Sequence, residues 1–240
     1  MRAVTMALLL ILATGVPAAG AQDLTRLSSI YSAGVFDQTV IAIGTQSLRS
    51  GGQEGFTPAS QSPPPDFTFR RTDRVDAAAR ERLLSSLLGT TDDPVAQTEI
   101  RISVVSDAVW EKFDSVLDMA GYSSRNLADV TAAYYIINWE VVTGGDAILH
   151  PHGVRAVRDA VAAALAANPR IASLSDAEMQ EAAVIMAYKA TVAGTAARRL
   201  AKAGDAAGLE HLRDAVRRSV RVHGVDLAGL QLTDRGLVAR

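Results

Sequence analysis

Residues 127–143 read LADVTAAYYIINWEVVT and run into Gly144-Gly145, and no other stretch limits the fold so sharply. Leu127, Val130, Tyr134, Ile137 and Val141 recur at helical spacing, and so do Ala128, Ala132, Tyr135, Trp139 and Val142. Two apolar stripes on one helix demand partners on more than one side, so the segment is predicted to be a central hub helix. Asn126 can cap its first turn, Asp129 adds negative charge at the positive dipole end, and Gly144 can take the left-handed conformation that stops it. The stretch holds three of the seven Tyr and Trp residues of the chain. It is shorter than the ~20 apolar residues of a membrane span and carries two carboxylates, so it reads as core.

The polar residues on this helix decide what else it could do. Asp129 and Glu140 are eleven residues apart, which puts them within about 20° on one face but three turns apart, too far for a catalytic carboxylate pair. Thr131 and Asn138 fall on the opposite side, where an interhelical hydrogen bond is the ordinary use of a buried Asn. The structural reading of Asn138 and Glu140 therefore comes first. If the hub borders a ligand site, its residues are Tyr134, Tyr135, Asn138, Trp139 and Glu140.

Helical signals continue on both sides. Thr72 can cap a helix carrying Val75, Ala79, Leu83, Leu84, Leu87 and Leu88. Asp93-Pro94 starts the next, with proline at its first position. Ile100, Ile102 and Val104 alternate as in a strand, but Val95, Ile102, Val105, Val109, Phe113, Val116 and Ala120 keep helical spacing as far as Gly121. One long helix, with a break near Ser106 as its weak point, is preferred. Residues 153–167 form a further helix ended by Asn168-Pro169. Ser175-Asp176-Ala177-Glu178 is a capping box, opening a helix to residue 203 whose inner stripe of Met179, Ala183, Met186, Ala190, Ala193, Ala197 and Leu200 is mostly small enough for close helix packing. A last helix spans residues 206–223. About six helices around one aromatic hub predict an all-α bundle over residues 72–223, with residues 224–240 as a tail packed upon it.

The N-terminal third reads differently. Arg2, the apolar run 6–13 and Ala19-Gly20-Ala21 have the form of a signal peptide, residues 1–21, with mature protein starting at Gln22 and lying in the periplasm or outside the cell. Residues 22–71 are expected to be an extended or disordered arm. Residues 35–43 have the β-branched content of a short strand, and the Gly, Ser, Gln and Pro of 45–65 end in Pro63-Pro64-Pro65, which excludes a core helix. The chain has no cysteine, hence no disulfide and no thiol nucleophile.

Few residues carry chemistry. His150-Pro151-His152 offers two imidazoles in a loop, which is short of a zinc site, and the surface reading is preferred. His211 and His223 point about 120° apart on their helix. No nucleophile elbow, phosphate-binding loop, dinucleotide glycine pattern or HExxH run occurs. A formal charge of −2 argues against nucleic acid as partner. Lys189 to Arg221 holds eight basic residues against three acidic ones, with Arg213, Arg217 and Arg221 in line, and is read as a solvated, partly paired surface.

The run NLADVTAAYYIINWEV, followed by NPRIASLSDAEMQE, Tyr188 and GVDLAGLQLTDRGL, resembles an uncharacterised bacterial family of exported proteins known as a domain of unknown function. The resemblance covers roughly residues 67–237, implies one compact helical domain, and carries over no active residue. The resulting expectation is an exported, non-enzymatic helical module that binds a protein or envelope component, without cofactor or metal. The alternative is a small-molecule or lipid-binding protein with its pocket beside the hub, recognisable by an apolar cavity at Tyr134, Tyr135 or Trp139.

Overall fold

A computed structural model describes residues 66–89 and 91–240. The leader, the cleavage site and the strand expected at 35–43 lie outside the described residues. Eight α-helices are present among the described residues: α1 (Asp73–Leu88), α2 (Pro94–Val105), α3 (Ala108–Ala120), α4 (Leu127–Thr143), α5 (Pro151–Ala167), the short α6 (Pro169–Ala172), α7 (Asp176–Ala203) and α8 (Ala206–Arg221). A two-stranded antiparallel hairpin, β1 (Leu230–Thr233) and β2 (Gly236–Ala239), closes the chain. The protein is an all-α bundle with this small β appendage.

The hub helix is α4. The Asn126 side chain accepts from the Ala128 and Asp129 backbone N–H groups, and Gly144 ends the helix at φ 71°. All of its residues except Ile137, Glu140 and Thr143 are buried. α4 packs chiefly against α7, then α5 and α8, while α7 also carries α1 and α3 on its other flanks. The close approach of the two central helices follows from the small residues of α7. A Cβ added at Gly194 would meet Ile137 Cγ2 at 3.1 Å. Both halves of the capping box at Ser175 and Glu178 are formed.

The long helix expected over residues 94–121 is two helices. Ser106 is extended (ψ 126°), and Asp107 after it accepts a 2.8 Å ion pair from Arg80 Nη1 on α1. The break resets the phase of the apolar face. α2 buries Ala96, Ile100 and Val104, whereas α3 buries Trp110, Phe113 and Leu117. A single helix could not turn both sets inward, since Val104 and Trp110 would stand about 120° apart. The price is that Val95, Ile102 and Val105, expected inside, are exposed at 58%, 65% and 68%.

Three smaller boundaries also differ. α5 starts at Pro151, so His150 and His152 belong to a helix N-terminus and not to a free loop. α8 ends at Arg221, before His223. The C-terminal tail is the hairpin, which lies on α5 at Gly153, where a Cβ would stand 2.2 Å from the Thr233 carbonyl oxygen. Residues 66–71, placed by the sequence at the end of the arm, run extended along the start of α4. Phe69 N–H donates to Arg125 O and Leu127 N–H to Phe67 O, and both phenylalanines are buried.

Candidate functional site

The five hub residues do not form one surface. Tyr134, Tyr135 and Asn138 have no exposed area, and Trp139 is 5% exposed. The two tyrosine rings meet edge to face at 5.5 Å, and burial pushes both phenols above their ordinary range. Asn138 Nδ2 donates back to Tyr134 O at 2.8 Å, and Trp139 Nε1 donates to Leu230 O at 3.1 Å, tying the hairpin to the hub. Glu140 alone of the five reaches the surface layer.

Glu140 lies on α4, within electrostatic reach of Arg198 on α7. Its Oε1 accepts the Ala147 N–H at 2.8 Å, and its carboxyl pKa is raised, by burial first, against the lowering effect of that N–H. Arg198 on α7 is exposed as a residue, yet its guanidinium folds back along the helix. A Cβ at Gly194 would come within 3.4 Å of its Nη2. The Arg198 pKa is lowered by burial and raised again by Glu140. On α3, the half-buried Lys112 ammonium is brought down to about 8, by burial first and then by Arg198 and Arg199. Glu140 and Arg198 thus act on each other between α4 and α7, and Lys112 on α3 feels Arg198 and Arg199. Sequence reasoning picked Glu140 but missed Lys112 and Arg198, which lie on different helices.

A second concavity lies between the start of the described chain, α3 and α7. It holds about 310 Å³, part of it open solvent, with walls of Phe69, Trp110, Phe113 and Val184 and a rim of Arg71 and Asp114. None of the five hub candidates lines it. Arg71 is committed to Asp76 at 2.6 Å and leans toward Asp114 at 3.7 Å, while Gln180 bonds Thr72 and Asp76. These contacts lock α1 to α7 and leave the rim charges answered.

The remaining polar candidates have structural roles. His152 Nδ1 lies 2.8 Å from Arg155 Nη2, and among the described residues no three ligand-type side chains gather as a metal site would require. The basic stripe of α8 is paired: Arg213 and Arg217 with Glu210, Arg217 with Asp214, and Arg221 with Asp226. Asp129 is buried at 7% and accepts from Arg158 Nε at 2.8 Å and from Ser123 N–H, joining α4 to α5. Lys189, counted from sequence among the surface cations, is 2% exposed. Burial lowers its ammonium to about 8, and it in turn helps burial lower His223 to about 4. The available signal was that residues 182–197 contain no other charged side chain.

The sequence matches DUF6683, a family of unknown function, over residues 1–240. The chain belongs to this family. The DUF6683 match includes residues 1–21, read from sequence as a leader, and the proline-rich residues 45–65, so it extends beyond the 67–237 suggested by the motifs alone. No curated protein and no solved structure matches the DUF6683 chain.

Proposed function

We propose that the protein is an exported, non-enzymatic helical module of the cell envelope that engages a protein partner through its surface. The observation that carries this reading is the outer face of α2, where Val95 and Ile102 lie within about 20° of each other and Val105 about 60° further round, all exposed. Burial of Tyr134, Tyr135 and Trp139 supports a surface-binding role over a lipid or small-molecule pocket beside the hub. The leader-like residues 1–21 support export, and no helix among the described residues is long and apolar enough to cross a membrane.

A photo-crosslinking residue at position 102, in the envelope of the producing cell, is expected to trap one defined protein, whereas the same group at exposed Ser115 should not. Ile102→Glu should abolish the trapped species formed from position 95 without changing the melting temperature. Equal trapping from 102 and 115, or an exported fraction retaining Met1 in place of a new terminus at Gln22, would overturn the reading.

A further inference from the structure

On α2, Val95, Thr98, Ile102 and Val105 are spaced three, four and three, as in a coiled-coil seam, and all four are exposed. At 100° per residue the seam is centred about 180° from the buried Ala96, Ile100 and Val104, so it faces directly away from the core. The Thr98 hydroxyl donates to Pro94 O at 2.9 Å, and its proton therefore stays paired when the seam is covered. Every seam residue is β-branched, already restricted at χ1, and loses little freedom on contact. Glu99 and Arg101 stand about 80° to either side of the seam's centre. Neither makes an ion pair with a described residue.

We propose that α2 is a self-association surface, and that its partner is the same helix of a second copy, parallel to it about a two-fold axis. The inference rests on the α2 face being the docking surface and names its occupant. A closed two-fold contact requires a surface that matches itself. With the helices parallel, each seam residue meets its own counterpart, and the Glu99 flank of one copy lies beside the Arg101 flank of the other. Antiparallel helices would set Glu99 beside Glu99 and Arg101 beside Arg101, like charges on both flanks. The twelve residues of α2 make a helix only about 18 Å long. So short a seam falls below the size of a permanent interface, and the dimer is reversible, with a dissociation constant on the order of 10–100 µM.

Sedimentation velocity of the purified full chain between roughly 5 and 500 µM should show a monomer–dimer equilibrium. Ile102→Glu should raise the dissociation constant about tenfold or more, with an unchanged melting temperature at the lowest concentration. Glu99→Arg and Arg101→Glu should each weaken the dimer, and the double exchange Glu99→Arg/Arg101→Glu should restore it, because the flanks are again opposite in sign. The chain has no cysteine of its own, so Val95→Cys should oxidise to a covalent dimer, since position 95 meets itself only in the parallel arrangement. A chain that stays monomeric throughout the range would overturn the inference but not the reading of a protein partner, which trapping from position 102 in the envelope tests separately. A dimer that survives Ile102→Glu, a double exchange that restores nothing, or a Val95→Cys chain that forms no covalent dimer would overturn it as well.

Discussion

Two buried bases make stability depend on pH in opposite regions. The Lys189 ammonium is lowered to about 8 in the folded protein, so between about 8 and 10.5 the unfolded chain holds more protons, and stability rises with pH there. Lys112, also at about 8, acts in the same direction. Above pH 10 the buried phenols of Tyr134, Tyr135 and Tyr188 oppose the trend, since unfolded tyrosines ionise first. Urea denaturation between pH 8 and 9.5 should show the rise, and Lys189→Met should flatten it. His223, at about 4, does the same on the acid side: stability should fall from pH 6.5 to 4, and His223→Phe should remove much of the loss. Trp139 works through area and one hydrogen bond to Leu230 O. Trp139→Ala should cost about 3–5 kcal/mol in the same assay, and Trp139→Phe roughly 1–2.

At the scale of elements, the hairpin and the α2–α3 break show what local patterns leave out. The hairpin seats on α5 because residue 153 has no side chain; Gly153→Ala would drive a Cβ into the Thr233 carbonyl. The variant should keep its helical circular dichroism while amide exchange quickens in residues 230–233 and 236–239. Helix caps were legible one by one: Thr72, Asp93, Asn126 and Ser175 all accept from first-turn N–H groups as their side chains predict. The break at Ser106 was legible only as a weak point. Two apolar phases overlap between residues 95 and 113, and a single-helix stripe through Val95, Ile102 and Val105 satisfies spacing as well as the true pair of faces. The hairpin escaped because Leu230–Thr233 is four residues long, below the length at which alternation separates strand from coil.

For the whole molecule, residues 66–71 decide where the domain begins. Phe67 and Phe69 are buried beside Leu127, so a chain cut to start at residue 72 loses two aromatic anchors that one starting at 66 keeps. The shorter chain should be less stable by roughly 3–6 kcal/mol, read as a lower urea midpoint. The sequence by itself determined the all-α class, the hub and the caps at Thr72, Asp93, Asn126 and Ser175, because caps and the apolar period of 3.6 act between residues a few positions apart. Glu140 was legible as a polar interruption of the hub, although its neighbours were not. Which stripe of α2 faces the core, that Lys189 is enclosed, and that Trp139 holds the hairpin were decided only by tertiary packing. Each depends on residues tens of positions apart being brought within a few ångströms, and the spacing of neighbours along one chain carries no record of that.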